Sequence, residues 1–249
     1  MASICNEDEQ VAFDVMSGHD QKLSASEFSM QDKITRLIAI RHGETAWNVD
    51  TRIQGQLDIP LNDMGRWQAK RLGGAVADEG IVAIYASDLL RAYETARAVA
   101  DSTGCDIVTD IGLRERHFGE FEGFTWKEIG ERWPVESERW RKRDLGFAPQ
   151  GGESLPVFYE RCVGTASRLA AAHAGQTIAL VAHGGVMDCL YRAASRIDLQ
   201  APRSWQLGNA SINRLLYTPE GFMLVGWSDT LHLDEDTRDE SADKVGSAA

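Results

Sequence analysis

The sequence predicts an α/β protein, a three-layer α/β/α sandwich with a mostly parallel central sheet. Short apolar runs typical of buried strands alternate with longer segments of helical composition. Several of these runs end abruptly at polar residues, as strands do at the ligand-binding edge of an open α/β sheet. With 249 residues and 43% hydrophobic content, the chain is long enough for one sizeable domain of this kind.

Four apolar runs are predicted as strands of the central sheet. They cover residues 36–40, 81–85, 106–108 and 177–182. Two further runs, 211–217 and 222–227, are joined by Thr218-Pro219-Glu220-Gly221. A short linker of turn-forming residues between two strand-like runs predicts a β-hairpin.

Three segments between the strands are predicted as helices. Residues 61–77 form the first, with Asn62 or Asp63 as the N-cap. Residues 89–101 form the second, with Ser87 or Asp88 as the N-cap. Residues 153–173 form the third, because their apolar residues recur close to the helical period.

The net charge of −12 lies mostly in the two ends of the chain. Residues 1–30 contain six acids and one lysine, and residues 234–249 contain six acids and two bases. Both segments are polar and lack apolar periodicity, which predicts a disordered N-terminal extension and an acidic disordered tail. The folded domain is then expected over residues 31–233, and its nearly neutral body can still focus positive potential in a cleft.

Composition also narrows the function classes. No apolar run approaches the ~20 residues needed to cross a bilayer, and the first residues lack the basic start of a secretion signal, so we expect a cytoplasmic protein without a membrane partner. The four cysteines are widely spaced and the six histidines lack metal-ligand spacing. These patterns predict reduced thiols, no metal and no cofactor, and the lack of a basic stripe with interleaved aromatic residues argues against nucleic acid as a partner.

The end of the first predicted strand is the most informative point of the sequence. The apolar run Leu37-Ile38-Ala39-Ile40 stops at Arg41 and His42, and Gly43 follows at once. Arginine presents a fixed fork of donors that suits phosphate oxygens. A neutral imidazole beside it is a competent nucleophile toward phosphorus. The pair therefore predicts phosphoryl chemistry through a phosphohistidine.

Similar residue types follow two other predicted strands. The strand at 81–85 leads into a helix that carries Arg91, and the strand at 177–182 leads directly into His183. The carboxyl ends of parallel strands lie at one edge of a sheet, so these groups are expected close to Arg41 and His42. Glu115, which follows the short strand at 106–108, is a candidate acid.

These residues belong to six ordered motifs through which the chain resembles the histidine phosphatase superfamily over about residues 34–233. That group includes cofactor-dependent phosphoglycerate mutases and many broad-specificity phosphatases. The motifs are Arg41-His42-Gly43-Glu44-Thr45, Trp47-Asn48, Gln54-Gly55 with Asp58-Ile59-Pro60-Leu61, Ser87-Asp88-Leu89-Leu90-Arg91-Ala92, Leu113-Arg114-Glu115, and His183-Gly184-Gly185.

The resemblance implies a role for each matching residue. His42 would attack phosphorus and hold the phosphoryl group, with a backbone carbonyl fixing its tautomer. Arg41, Arg91 and His183 would bind the nonbridging oxygens, and Glu115 would serve first as general acid and then as general base. The residues expected at the substrate are Asn48, Gln54, Gly55, Gly184, Arg116 and Arg141.

Several assignments have plain structural alternatives. Arg91 could be a surface residue in an ion pair with Glu94 or Glu115. The acid role of Glu115 could fall to Glu120 or Glu122, which lie close by in the sequence.

By its resemblance to the superfamily, the segment 117–152 is expected to form a lid over the substrate. The length and sequence of this lid bear on whether the protein is a phosphatase or a mutase. Phe118 stands where mutases have tyrosine, and the insertion before the 153–173 helix is short. A short lid admits water, so we expect hydrolysis of small phosphorylated metabolites, as in the short-lid broad-specificity phosphatases.

Two alternatives remain open at this point. The segment Trp140-Arg141-Lys142-Arg143 resembles the basic grip of a 2,3-bisphosphoglycerate-dependent mutase, although it could equally be a solvated helix face. A noncatalytic phospholigand-binding protein is the third possibility. Trp126, Trp133 and Trp140 could form either an apolar wall for the leaving group or the core of the lid, and a homodimer is a possible assembly.

Overall fold

The computed structural model describes residues 34–234, so the predictions for residues 1–30 and for the tail beyond 234 lie outside it. The described chain forms one six-stranded sheet in the order β3-β2-β4-β1-β5-β6. The strands are β1 Thr35–Arg41, β2 Ile81–Ala86, β3 Ile107–Thr109, β4 Thr177–Ala182, β5 Ile212–Thr218 and β6 Gly221–Asp229.

The sheet is mostly parallel, which confirms the predicted fold class. β1, β2, β3 and β4 pair in parallel, whereas β5 is antiparallel to β1 and forms the predicted hairpin with β6. In this register Arg41 lies beside Ala182, and Val181 lies beside Ala86. The carboxyl ends of β1, β4 and β2 are therefore adjacent, as the site prediction requires.

Helices cover the sheet and form the lid. They are α1 Ala46–Val49, α2 Asp63–Val76, α3 Leu90–Thr103, α4 Trp126–Arg132, α5 Pro134–Arg141, α6 Leu155–Ala171 and α7 Gly184–Ser195. None of the helices within residues 34–234 is long and apolar enough to span a membrane.

The three layers follow from the alternation of side chains along buried strands. Leu37 and Ala39 of β1 pack in the hydrophobic cluster that contains α6 and α7 residues. Ile38 and Ile40 of the same strand pack in the opposite cluster, with residues of α2 and α3. Successive side chains of a strand point to opposite faces, so a continuous apolar run buries both faces of the sheet.

The N-cap predictions have different outcomes. Asn62 caps α2, and its Oδ1 accepts a hydrogen bond from the Gly65 N–H at 2.7 Å. The prediction that Ser87 or Asp88 caps the next helix is wrong, because α3 begins after Leu89 without a cap from its own segment. Asp58 accepts the Leu90 N–H instead, at 2.7 Å and from a distant part of the chain.

The helix predicted over 153–173 is shorter in the structure. α6 begins after Ser154, whose hydroxyl accepts from the Val157 N–H at 3.4 Å, and it ends at Ala171. Cys162 of α6 and Cys189 of α7 are free, buried thiols packed in the same core cluster.

The lid has a small apolar core of its own. Ile53, Phe121, Ile129 and Phe147 are buried together, and the rings of Trp133 and Trp140 pack against them. The tryptophans are not on one helix, because α4 ends at Arg132 and α5 begins at Pro134. Trp133 and Trp140 thus belong to the lid core, whereas Trp126 is 50% exposed.

Candidate active site

The adjacent ends of β1 and β4 bring two imidazoles together. His42 follows β1 and His183 follows β4, and their ring centroids are 5.3 Å apart. Both side chains are buried, with His42 only 3% exposed. A polar pair buried at the carboxyl edge of a parallel sheet is the arrangement expected of a functional site.

The His42 ring is held in one tautomer. Its Nδ1 lies 2.7 Å from the carbonyl oxygen of Gly43. A carbonyl can only accept a hydrogen bond, so Nδ1 carries the proton and donates it. Nε2 is then unprotonated and carries the lone pair that a nucleophile needs.

The backbone around His42 is fixed by residues that the sequence motifs do not include. The Asn209 amide donates to the carbonyl oxygens of His42 and Gly43, at 3.1 and 3.3 Å. The Thr95 hydroxyl accepts from the Gly43 N–H at 3.0 Å and donates to the Arg91 carbonyl at 2.7 Å. The hydrogen bonds of Asn209 and Thr95 with residues 42 and 43 join segments far apart in sequence, so no local sequence pattern identifies Asn209 or Thr95.

Two arginines lie near the imidazoles, Arg41 half-buried and Arg91 buried, and both are held by backbone oxygens. Arg41 Nη1 donates to the Leu207 carbonyl at 2.6 Å. Arg91, 1% exposed, donates to the carbonyls of Gly55 and Leu57 at 2.7 and 2.9 Å. The surface ion-pair interpretation of Arg91 is therefore wrong.

Buried polar atoms without hydrogen-bond partners also mark the site. Within residues 34–234, the Nε atoms of Arg41 and Arg91 and the Nδ1 of His183 have none. Such atoms are uncommon in folded proteins, and each one calls for an explanation. Three of them around one imidazole are suited to bind the oxygens of an anion.

The electrostatics of the site favour an anion beside a neutral imidazole. Burial holds the pKa of His42 well below its ordinary value, and the charges of Arg91 and Arg41 lower it further. The pKa of His183 is lowered well below its ordinary value by the same burial and arginines, with a contribution from His42. Burial lowers the pKa of Arg41 and of Arg91 to about 10, so both stay cationic at neutral pH.

His183 is positioned by a hydroxyl. Its Nε2 lies 2.8 Å from Ser87 Oγ, at the end of the neighbouring strand β2. Ser87 Oγ also accepts a hydrogen bond from the Leu89 N–H at 3.3 Å, just ahead of α3. Ser87 belongs to one of the motifs through which the chain resembles its family, but the sequence does not indicate this contact with His183.

Glu115 lies at the same edge. Its Oε2 accepts from the Gly185 N–H at the start of α7 at 2.9 Å, and its Oε1 accepts from the Arg116 N–H at 2.8 Å. The carboxylate is close enough to Arg41 and Arg91 to raise the pKa of both guanidinium groups against the effect of burial. Arg161 secures this segment by donating to the Glu115 carbonyl at 3.2 Å.

The two glycines predicted at the substrate have close neighbours in the site. Gly55 has φ +53°, and a side chain there would collide with Glu122. Its carbonyl holds Arg91. Gly184 begins α7, and a Cβ on it would lie 3.5 Å from Arg41 Nε. The positive φ of Gly55 favours glycine there, whereas a Cβ on Gly184 would lie at an ordinary contact distance.

Asn48 and Gln54 differ in how far their amides are engaged. Asn48 Oδ1 closes the capping box of α1 by accepting from the Thr45 N–H at 3.1 Å, and it also accepts from Asn209 at 3.2 Å. Gln54 is buried, and its Oε1 has no partner in the part of the chain that the structure describes. The substrate-binding roles of both residues stay predictions.

Arg116 and Arg141, also predicted at the substrate, differ in burial and in their partners. Arg116 is buried and donates twice to the Glu153 carbonyl, at 2.9 and 2.7 Å, with its guanidinium 4.3 Å from the Trp140 ring centroid. Arg141 is exposed and pairs with Glu138 at 2.6 Å. Their substrate-binding roles stay predictions.

No group of three or more metal-ligating side chains is found among residues 34–234. Around His42 the positive charge comes from Arg41 and Arg91. A neutral imidazole with a free Nε2, next to cations and unpaired donors, is suited to attack a phosphorus atom while its oxygens are held. Together with the parallel sheet, this set of groups suits the class of phosphoryl-transfer enzymes.

The chain belongs to the histidine phosphatase superfamily (branch 1), whose profile matches residues 37–230. It is 36% identical over 219 residues to phosphoglycerate mutase-like protein 4 of Arabidopsis thaliana, covering 86% of this chain and 94% of that one. It is 35% identical over 216 residues to a metal-independent phosphoserine phosphatase of the same plant, covering 84% and 87%.

A similar solved structure is that of the mycobacterial glucosyl-3-phosphoglycerate phosphatase. The two chains are 33% identical, with a TM-score of 0.70 over 78% of this chain and 98% of the other. The family and the fold class predicted from the sequence are thereby confirmed. Phosphatases of small phosphorylated metabolites and a mutase-like protein both occur among the relatives.

Proposed function

We propose that the protein hydrolyses phosphomonoesters of small metabolites through a phosphohistidine on His42. The observation that carries this proposal is the fixed tautomer of His42, with Nδ1 bound to the Gly43 carbonyl and Nε2 free. The presence of small-metabolite phosphatases among the relatives supports the same activity.

In the first step, the Nε2 lone pair of His42 forms a bond to phosphorus and the ester P–O bond breaks. Arg41, Arg91 and His183 bind the nonbridging oxygens while charge shifts toward the leaving oxygen. Protonated Glu115 gives its proton to the leaving alkoxide, which departs as an alcohol. Preorganised donors of this kind supply most of the stabilisation in phosphoryl transfer.

In the second step, the Glu115 carboxylate takes a proton from water as the water oxygen attacks phosphorus. The P–N bond breaks, and its electron pair returns to Nε2 of His42. Inorganic phosphate leaves, the imidazole is neutral again, and Glu115 is protonated for the next cycle. One carboxyl group thus serves as acid and then as base, which requires a position close to both reacting oxygens.

The basic lid segment, which bears on the mutase alternative, is partly engaged in ion pairs within the protein. Arg141 and Lys142 both pair with Glu138, at 2.6 and 3.3 Å. Arg143 pairs with Asp188 at 3.4 Å and donates to the Leu199 carbonyl at 2.5 Å. Arg143 is thus held within the protein, whereas the ion pairs of Arg141 and Lys142 are exposed and therefore weak.

The role of Glu115 predicts a dependence on the leaving group. We expect Glu115→Gln to lower kcat/KM for an alkyl ester such as phosphoserine about 10²-fold to 10³-fold, since the poor leaving group loses its proton donor. The loss should be much smaller for p-nitrophenyl phosphate, whose leaving group departs without a proton. Steady-state phosphate release on both substrates measures the difference.

Glu120→Gln is the matched control, because Glu120 is the neighbouring acid that could have taken this role and is bound to the Gln150 N–H at 3.3 Å. Equal losses on the two esters in Glu115→Gln would contradict the acid role. A selective loss in Glu120→Gln would transfer that role to Glu120.

We also propose that the reaction needs no metal and no organic cofactor, which the name of the metal-independent relative supports. 2,3-Bisphosphoglycerate would be required only for a mutase. Cytoplasmic location and homodimer formation stay predictions from the sequence.

A further inference from the structure

The hydrogen bond between Ser87 Oγ and His183 Nε2 is shielded from solvent. Both side chains are fully buried, and the two atoms are 2.8 Å apart. The Ser87 N–H donates to the Val181 carbonyl at 3.0 Å, which ties this serine to β4, the strand that leads into His183. The hydroxyl and the imidazole are therefore held in place on two adjacent strand ends.

The second hydrogen bond of the Ser87 hydroxyl indicates which of the two partners donates. A serine hydroxyl has one proton to donate and two lone pairs to accept with. One lone pair accepts the Leu89 N–H at 3.3 Å. Within residues 34–234, His183 Nε2 is the only hydrogen-bond acceptor for the hydroxyl proton. Buried polar groups are nearly always paired, so we infer that Ser87 donates and Nε2 accepts.

The direction of this hydrogen bond decides the tautomer of His183. Burial and, next, the charge of Arg91 keep the pKa of His183 well below its ordinary value, so the ring is neutral. A neutral imidazole has one ring proton, and with Nε2 as the acceptor that proton is on Nδ1. His183 Nδ1 is buried and has no partner in the described part of the chain. It therefore offers an N–H donor to an anion.

The two imidazoles of the site are thus prepared for opposite tasks. His42 donates through Nδ1 to the Gly43 carbonyl at 2.7 Å, which leaves a lone pair on Nε2. His183 accepts through Nε2, which leaves a proton on Nδ1. With the other tautomer, the lone pair of His183 Nδ1 would face the phosphoryl oxygens and repel them. The ring centroids are 5.3 Å apart, close enough for both rings to act on one phosphoryl group.

We propose that Ser87 is a positioning residue whose hydroxyl holds the proton of His183 on Nδ1, from where His183 donates it in a hydrogen bond to a nonbridging oxygen of the transferring phosphoryl group. This inference rests on the proposed phosphatase activity. The effect of Ser87 passes entirely through His183. The same hydrogen bond keeps His183 from competing with His42 as a nucleophile, because it occupies the one unprotonated nitrogen of the His183 ring.

Ser87→Ala should lower kcat about 10-fold to 10²-fold with a smaller change in KM, the order of loss expected when the partner that orients a functional histidine is removed. Thr35→Val is the matched control. It also removes a buried hydroxyl, which donates to the Ala170 carbonyl at 2.7 Å, but at the opposite end of β1 from the site. Full activity is expected in that variant, and thermal melting shows whether both variants keep the fold.

A double-mutant cycle with His183→Asn separates positioning from an independent role of Ser87. His183→Asn alone should lower kcat about 10²-fold to 10³-fold, because a donor to the transition state is lost. Ser87→Ala added to His183→Asn should cause no further loss, because the residue through which Ser87 acts is already gone. A further loss as large as that of Ser87→Ala alone would overturn the proposal.

Nitrogen NMR of the protein labelled in its histidine rings reads the tautomer directly, with the His183→Asn spectrum assigning the His183 signals. We expect a protonated Nδ1 and an unprotonated Nε2 in the wild-type protein, and a mixture of tautomers in Ser87→Ala. A protonated Nε2 in the wild-type protein would overturn the proposal, whether or not the protein is a phosphatase.

The kinetic outcomes separate the positioning role from the proposed function. If the wild-type protein releases phosphate and Ser87→Ala is as active as Thr35→Val, the positioning role is overturned and the phosphatase activity stands. If no ester releases phosphate, the proposed function fails, and the catalytic role of Ser87 fails with it.

Discussion

The His42→Asn variant should lose phosphatase activity by at least about 10⁴-fold, because it removes the imidazole Nε2 that forms the bond to phosphorus in the proposed mechanism. Removal of a covalent nucleophile typically costs this much or more. Asparagine can still donate a hydrogen bond to the Gly43 carbonyl, so the fold around β1 should persist. Phosphate release from phosphoserine and p-nitrophenyl phosphate measures the loss, and an acid-labile phosphoryl group should form on the wild-type protein only.

His173→Asn is the control for this variant. His173 is partly exposed and binds Tyr85 and Gln176, remote from the catalytic strand ends. Full activity is expected in that variant. Substantial turnover by His42→Asn, with the same covalent labelling as the wild-type protein, would mean that another residue is the nucleophile.

The Arg91→Gln variant should lose about 10³-fold in kcat, which is the order expected when one preorganised donor to the transition state is removed. Arg91 is buried and fixed by two backbone carbonyls, so no neighbouring side chain can take its place. Arg97→Gln is the matched control, because Arg97 lies exposed on the same helix, α3. Kinetics under saturating substrate separate the loss in kcat from a change in KM.

Arg91→Gln should also change the pH dependence. In the wild-type protein burial keeps the pKa of His42 well below its ordinary value, and Arg91 contributes the next largest lowering. Removal of that charge raises the pKa of His42, so the nucleophile becomes protonated at a higher pH. The acid limb of the kcat/KM profile should therefore lie at higher pH in Arg91→Gln, and an unchanged limb would contradict the assignment of His42.

The lowered pKa values of His42 and His183 predict how the free energy of unfolding depends on pH. His42 and His183 are neutral in the folded protein, whereas in the unfolded chain they take up protons as the pH falls below about 6.5. The unfolded state then binds more protons, so the free energy of unfolding decreases in that direction. This contribution is fully present only above the ordinary histidine pKa.

The sequence predicts the parts of the fold that depend on local pattern. The run before Arg41 is apolar at every position and short, which identifies a strand buried on both faces. The cap of α3 was predicted wrongly because Asp58, which accepts the Leu90 N–H, lies 32 positions away in the chain. Contacts of that kind depend on tertiary structure and leave no local signal.

The same distinction between local pattern and tertiary contact applies to the residues of the candidate site. His42 and His183 could be placed because each follows a predicted strand, and the parallel sheet brings those strand ends together. Asn209, Thr95 and Ser87 support these groups through long-range hydrogen bonds and were not predicted.

The most direct test of the proposed phosphatase activity measures two products in one assay. The purified protein is incubated with 3-phosphoglycerate, with and without a trace of 2,3-bisphosphoglycerate, and with a panel of other phosphomonoesters, while inorganic phosphate and 2-phosphoglycerate are measured together. We predict phosphate release from several esters, independent of the bisphosphate and abolished in His42→Ala. Rapid formation of 2-phosphoglycerate that depends on the bisphosphate, with little release of inorganic phosphate, would contradict the proposed hydrolysis and identify a mutase.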